Sequence, residues 1–567
     1  MVVLAGIGTW LGLSWYGTYQ QAQDVQRQVS ALRVSLAERQ WAEVPAQVSE
    51  VKVAAQELET STNGPIWRLL EGMPVIGYSA SAVNELAGTL VEVADAAEPL
   101  TPFAQRILDG NIRRPDGSVD LDAMQQAAPL LTLFTGRVET ASGRLEAIDV
   151  DRVRPEIGGP VAELREELEG VLPALSTASE VATWLPGLLG GDGQREWLVM
   201  LQNPAELRGS GGLVGGFAVI KIRNGTLELE TTGSSSDLQQ SQIPIDNAPA
   251  DVRETWGDGL RNWASFNASP HFPTTAALAA DGMTARGQSV DGVIALDPEA
   301  VAAMLEITGP ITAAGKTVSA DDVAQFFTVD AYTEYPDGQE RDEVSLALVE
   351  ALFSAFLTAK WRPETLLDAM REPVEERRVL VWSQNEEEEA WLAGTALGGS
   401  LPNQPGSVIA VTFNNMGANK LDAFLTTEVT FEPGRCPTSS TQRSTLNVSM
   451  LNDPPSDLPE DNYGYLDQDF VPIADAPPGS NSLLVQVYAP VGANYQSSAL
   501  DGVDVPMYVG TERNRPLWWT IVELRPGEER NLDVVFEEPT VLGVEPSVMK
   551  QPMVNEEVIT VAKNGQC

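Results

Sequence analysis

Residues 197–216 read WLVMLQNPAELRGSGGLVGG, and this stretch decides the fold. Trp197 to Leu201 is a short, wholly apolar run, the pattern of a strand buried on both faces. A polar, glycine-dense segment, Asn203 to Gly216, follows it directly. Outward from there, Phe217 to Ile222 and Thr226 to Glu230 flank Asn224-Gly225, a dipeptide suited to the positive φ values of a two-residue hairpin turn. Val293 to Leu296 reads as a second buried strand. Asp297 and Pro298 then supply the N-cap and first residue of a helix that Gly309-Pro310 closes. A helical stretch from about Glu343 to Arg378 leads to a strand at Val379 to Trp382, and further strands lie at Ser407 to Phe413 and Ala423 to Phe431. Strands alternating with helices predict a layered α/β domain over residues 191–435.

The flanks read differently. From Gln21 to about Leu189 apolar residues recur at helical spacing, as in Val25, Val29, Leu32 and Leu36, or Val83, Leu86, Leu90 and Val93, with Pro45 as a break. These stripes predict a helical bundle over residues 21–190. Val2 to Tyr19 carries no charge and includes Trp10, Trp15, Tyr16 and Tyr19. About 18 apolar residues with interfacial aromatics just span a bilayer, so residues 1–20 read as an uncleaved transmembrane anchor. A single-pass cell-membrane protein with the bulk of the chain extracytoplasmic is the expectation, the bundle acting as a stalk. After Cys436 the pattern is all-β, with strands at Thr445 to Met450, Ser482 to Tyr488, Leu517 to Leu524 and Asn531 to Phe536, which suggests a β-sandwich over residues 436–567. The fold class is multidomain α+β.

The chain carries 36 Lys+Arg against 80 Asp+Glu, a net charge of −44. Phosphate backbones need clustered cations, so a nucleic-acid partner is not expected. A single histidine, His271, excludes multi-histidine metal sites and leaves one candidate for any Ser-His or Cys-His set. Two cysteines exclude iron–sulfur clusters and the usual structural zinc sites. Cys567 is the last residue and Cys436 opens the β-rich region. A bridge between them would close a long loop worth roughly 4–5 kcal/mol in the chain-entropy model; the alternative is two unrelated thiols.

Chemistry must therefore run on carboxylates, arginine, amides and hydroxyls. In the glycine-dense segment Glu206 and Arg208 lie two apart, on one side of an extended chain. The segment reads either as a ligand loop beyond a buried strand or as a tight turn that a Glu–Arg pair locks. It matches neither the Walker A nor the dinucleotide spacing. Arg261, Asn262, Asn267 and His271 surround Trp263, Phe266 and Phe272, a composition that suits sugar or phosphate-sugar recognition and equally a capped loop before a helix. Asp237, behind the hairpin, is a third candidate. The run Glu386 to Glu389 reads as a solvated helix or loop face.

Asn203-Pro204-Ala205-Glu206-Leu207-Arg208 with Gly211-Gly212, the Asn267-to-Pro273 stretch, Val290 to Pro298 and Ile307-Thr308-Gly309-Pro310 together resemble an uncharacterised bacterial family of anchored extracytoplasmic proteins. The resemblance runs from Pro65-Ile66-Trp67 and Met73 to Gly77 to beyond Gly417-Ala418-Asn419-Lys420. That core in turn is distantly similar to the LytR–CpsA–Psr family, whose members move cell-wall glycopolymers from polyprenyl-pyrophosphate carriers onto peptidoglycan. The similarity implies that Arg208 sits near the arginine that binds pyrophosphate, and Asn262 or Asn267 near the Asn of the lipid site. For a phosphotransferase-like enzyme, Arg208 and Arg261 are the candidates for the phosphates, Glu206 and Asp237 for magnesium or the general base, and Asn203, with Asn262 and Asn267, for ligand binding. The family's Arg-Ser-Asp-Thr and Pro-Arg-Asp motifs are absent, which touches catalysis more than fold. Two functions stand: a phosphotransferase-like enzyme acting on a lipid-linked envelope glycopolymer, or a non-catalytic glycopolymer- or lipid-binding scaffold module. A third is an adhesin-like structural protein.

Overall fold

The computed structural model describes residues 18–562 apart from 19, 36–37, 39, 41, 74–76, 109–113, 115–117, 360–361, 435–438, 457 and 459–476. The chain divides into two compact units, Met1–Gly193 with Asn224–Thr226, and Gln194–Arg223 with Leu227–Cys567.

The first unit is helical. Val44–Thr62, Gly77–Ala97, Leu121–Glu146 and Pro155–Leu188 are its long elements. They bury Val48, Val51, Ala55 and Leu58 of one helix and Ala80, Val83, Ala87 and Leu90 of the next, the spacing that the sequence sets. Pro45 opens a helix instead of breaking one, because its missing N–H falls in the first turn where no partner is needed. The transmembrane anchor needs correcting. Among the described residues no helix is long and apolar enough to cross a membrane, and even the apolar helix Gly77–Ala97 carries Glu85, Glu92 and Asp95. Val2–Tyr19, apart from Thr18, lies outside the described residues. The single-pass placement and the extracytoplasmic location drawn from it lose their support, and the architecture is multidomain α+β.

In the second unit the α/β part contains β1 (Arg195–Arg208), β2 (Gly211–Arg223), β3 (Thr226–Ser234) and β4 (Gly292–Leu296), then a small hairpin of β5 (Ile311–Ala313) and β6 (Lys316–Val318), and β7 (Val379–Ser383). The main sheet has the order β3-β2-β1-β4-β7, with β1 parallel to β4 and antiparallel to β2. Asn224 and Gly225 take positive φ at the β2–β3 turn, as the dipeptide predicts. One sheet face packs Leu198, Met200 and Val219 against Trp263, Phe266 and the helix Phe272–Ala285. The helical stretch expected over 343–378 consists of two helices, Gly338–Thr358 and Pro363–Glu375, the break falling before Pro363, whose ring disfavours a helical residue ahead of it.

The remaining strands form a sandwich: β8 (Val408–Asn415), β9 (Leu425–Glu432), β10 (Thr441–Asn452), β11 (Asn481–Tyr488), β12 (Asn494–Leu500), β13 (Val503–Asp504), β14 (Tyr508–Glu512), β15 (Arg515–Leu524), β16 (Glu528–Pro539), β17 (Ser547–Met549) and β18 (Val558–Val561). They pair as β13-β12-β16-β10-β9-β18 and β14-β15-β11-β8-β17, enclosing Phe413, Phe431, Val485, Trp518 and Phe536. The strands at 407–413 and 423–431 thus belong to the sandwich and not to the α/β layer. Local periodicity identifies a strand without identifying the sheet it joins. Cys436 and Cys567 lie outside the described residues.

Candidate functional site

The glycine-dense segment is a long bulged hairpin and not an open loop. β1 runs on through Arg208, and its register against β2 shifts between Leu201 and Gln202 and again between Asn203 and Leu207. Glycine is required where backbones cross: a Cβ on Gly212 would stand 2.1 Å from the Asn203 carbonyl oxygen, and one on Gly209 2.1 Å from that of Ala268.

Glu206 and Arg208 are brought together and enclosed. Arg208 Nη2 donates to Glu206 Oε1 at 2.8 Å, Nε to the Ala264 carbonyl at 2.7 Å and Nη1 to the Leu207 carbonyl at 2.7 Å. The other Glu206 oxygen takes the Lys420 ammonium. Burial alone would raise the Glu206 carboxyl, but Lys420 and Arg208 outweigh it and hold the group below its usual range. Around this triad, Asp422 accepts from Leu207 N at 2.7 Å, Asn415 Nδ2 at 2.9 Å and Asn481 Nδ2 at 2.7 Å; burial pushes its carboxyl up to about 6. Gln551 Nε2 donates to the Arg208 carbonyl at 2.8 Å. Two stretches distant in sequence, 203–208 and 417–420, therefore meet where the tip of β1 is tied to the sandwich.

The other singled-out residues lie apart from that triad. Asn267 is fully buried and donates to the Gly212 carbonyl at 2.9 Å. Asn262 accepts from Ala264 N at 3.0 Å in an exposed turn, and Arg261 pairs with exposed Asp258 at 3.1 Å. His271 is buried, accepting from Leu401 N at 3.1 Å. Burial and the Arg513 and Arg377 cations push its pKa down to about 3, so the ring is neutral. Asp237 caps the turn after β3, accepting from Ser234 N at 2.9 Å. The acidic run starts a helix and is not simply a solvated face: Glu388 is buried and pairs with Arg195 at 2.8 Å.

A cavity of about 130 Å³ opens past the carboxyl end of β4, beside β1 at Leu201–Asn203, where the parallel pairing of the two strands stops, a usual ligand position in an α/β sheet. Leu201, Val301, Leu346, Val349 and Leu352 make its floor apolar, and Asn203, Tyr332, Arg341, Asp342 and Ser345 supply its polar groups. Asn203 is the one singled-out residue that lines it, and its amide is anchored, donating to Tyr332 Oη and the Phe327 carbonyl, both at 3.0 Å. The Arg341 guanidinium lies over the Tyr332 ring, 4.7 Å from its centroid, and Nη1 donates to the Tyr335 carbonyl at 3.1 Å. Burial, with Asp237 nearby, raises the Asp342 carboxyl against the pull of Arg341 and a hydrogen bond with Ser234. Asp297 at the cavity edge is committed already, capping Ala300 N at 2.9 Å and pairing with Arg378 at 2.8 Å. Sequence reasoning missed Tyr332, Arg341, Asp342 and Lys420. The available signal was a charged run, Glu340-Arg341-Asp342-Glu343, preceding an apolar helical stripe.

The residues present do not fit a magnesium site. The oxygens of Glu206 face two cations, Asp237 Oδ2 caps Ser234, and among the described residues no three His, Cys, Asp or Glu side chains gather as a metal would need.

Residues 192–332, about a quarter of the chain, match a family model described as a protein of unknown function (DUF4012). No curated protein matches the sequence. Among solved structures, "a putative nutrient binding protein" from Legionella pneumophila is 7% identical over 23% of this chain and 44% of its own, with a TM-score of 0.14. The match spans less than half of that protein, and a likeness this slight carries no argument about fold or function.

Proposed function

We propose that the second unit binds the lipid-proximal end of a polyprenyl-pyrophosphate-linked glycopolymer and holds it without transferring it. The observation that carries this reading is the cavity past the end of β4, beside Leu201–Asn203 of β1, apolar within and bearing Arg341 among its polar groups. Its volume is close to that of an engineered cavity of about 150 Å³ that takes benzene. It therefore suits one branched five-carbon unit and leaves a longer chain outside. A guanidinium stacked on Tyr332 is preset to present a planar fork to phosphate oxygens. The similarity to the LytR–CpsA–Psr family supports the ligand class. Transfer to peptidoglycan is the second reading, and it would need cations free to hold the leaving phosphate. Arg208 and Lys420 instead neutralise Glu206, which favours holding.

Titration of the full chain with farnesyl pyrophosphate, with and without Mg²⁺, tests the proposal calorimetrically. Saturable binding is expected, weakened about tenfold or more by Ser345→Phe, which fills the cavity with a ring at an overpacking cost of roughly 1–3 kcal/mol. Absence of binding, or a Ser345→Phe chain that remains folded and binds equally, would overturn it.

A further inference from the structure

We infer a second ligand site, within the helical first unit: a groove that takes the alkyl chain of a long-chain fatty acid. It rests on observations inside that unit and not on the cavity of the second. The groove has a volume of about 420 Å³ and lies within the core that these helices share. Leu58, Trp67, Val83 and Leu90 form its floor, all of them buried. One wall is a stripe of Ala22, Val25 and Val29 on the helix over residues 20–35. The other is Ile157, Pro160 and Leu164 on the helix Pro155–Leu188, again at helical spacing. The polar atom of the floor, Trp67 Nε1, is committed to the Ala80 carbonyl at 3.0 Å. Ordered water in a cavity needs two to four polar partners, and these surfaces offer carbon. The groove therefore selects an apolar occupant.

Its dimensions separate the candidates. The lining runs from Thr18 to Arg33 on one helix and from Glu156 to Glu167 on the other, roughly 16–22 Å at a rise of 1.5 Å per residue. An extended alkyl chain advances about 1.25 Å per bond, from a bond of about 1.52 Å and an angle of about 111°, so this length holds about 14–19 carbons. Volume agrees: where about 150 Å³ takes the six carbons of benzene, 420 Å³ takes about 17. The two chains of a diacyl lipid exceed that. A partner helix, about 10 Å across, would fill more than about 1,200 Å³ over the same length. Charge then sets the direction. At one end Arg33 Nη1 meets Glu163 Oε1 at 2.9 Å and Nη2 meets Glu167. These pairs join the two walls and set two carboxylates against one guanidinium, which repels an anionic head. At the other end Arg154 lines the groove just before the first turn of Pro155–Leu188, and the positive end of that helix dipole adds to the arginine against Glu156. The ligand is a free long-chain carboxylate, its tail toward Arg33 and its head at Arg154.

Equilibrium dialysis of the full chain against radiolabelled tetradecanoate tests the inference. Saturable binding is expected. Octanoate, six methylenes shorter, should bind at least about a hundredfold more weakly, since each buried methylene is worth roughly fourfold in affinity. Ala22→Trp, which sets an indole into the groove, should weaken tetradecanoate about tenfold or more in a chain whose helicity matches the wild type. Arg154→Glu, at an exposed position, should weaken it about fivefold while tetradecanol binds as before. Absence of saturable binding, octanoate as tight as tetradecanoate, or a folded Ala22→Trp chain that binds like the wild type would overturn the site. So would loss of binding on Ser345→Phe in place of Ala22→Trp, which would move the chain to the second unit. An Arg154→Glu chain with unchanged affinity for tetradecanoate would overturn the carboxylate as the head.

Discussion

Arg208 ends β1 with its guanidinium enclosed, giving its protons to Glu206 and to the carbonyls of Ala264 and Leu207. Arg341 sits on the first turn of the helix Gly338–Thr358, stacked on Tyr332 at the cavity beside the middle of the same strand, with one hydrogen bond to the Tyr335 carbonyl. The two differ in what their charge faces. Arg208 faces a buried carboxylate that must be neutralised if the hairpin is to reach the sandwich. Arg341 faces a small apolar cavity with room for a group from outside. An arginine beside a glycine-rich segment therefore need not mark a ligand site, and an arginine in an unremarkable helical turn can.

The comparison breaks most easily at Arg208. Arg208→Ala should lower unfolding free energy by about 3–5 kcal/mol, because it leaves Glu206 buried with half of its counter-charge and removes the side-chain donor to the Ala264 and Leu207 carbonyls. Urea unfolding measures this, and a loss below about 1 kcal/mol would mean that the pair does not tie the hairpin down.

The α/β layering, the Asn224-Gly225 turn, the Asp297 cap and the sandwich were legible because each rests on local signals: period, turn chemistry and capping. The role of Asn203–Arg208 was not. Spacing places Glu206 and Arg208 on one side of a strand, but whether that side meets solvent depends on Lys420 and Asp422, more than two hundred residues away. Lys420 was visible only as part of a motif. Arg341 and Tyr332 carry no motif, and they become a site only when the helix folds over the end of β4 and the middle of β1. The assignment of 407–413 and 423–431 failed for a related reason, since strand pairing is non-local.

A third buried ion sharpens the contrast between matched and unmatched charge. Glu557 is opposed only by a backbone bond from Gln551 and by Lys550, so burial pushes its carboxyl up to about 8. The folded state then holds more protons than the unfolded state between pH 4.5 and 8, and the stability this contributes below pH 4.5 is lost as pH rises to 8. Glu557→Gln should flatten that decline and stabilise the chain at pH 8 by on the order of 3 kcal/mol. Thermal melts across pH 4–9 check it; a variant with the same pH slope as the wild type would show that Glu557 is solvated or paired.

The smallest effect on the fold is expected at Arg341. Arg341→Ala removes a stacked, half-buried cation at the cavity and should change unfolding free energy by less than about 1 kcal/mol. A larger loss in the same urea experiment would make Arg341 a structural clamp like Arg208.

The most direct measurement of the central claim is farnesyl pyrophosphate titrated in parallel into wild-type, Arg208→Ala and Arg341→Ala chains, with affinity referred to the folded fraction of each. Arg341→Ala is expected to lose about tenfold or more in affinity while Arg208→Ala binds like the wild type, because only Arg341 faces the cavity. Loss of binding on Arg208→Ala with Arg341→Ala unaffected would contradict it and return the phosphate site to the end of β1.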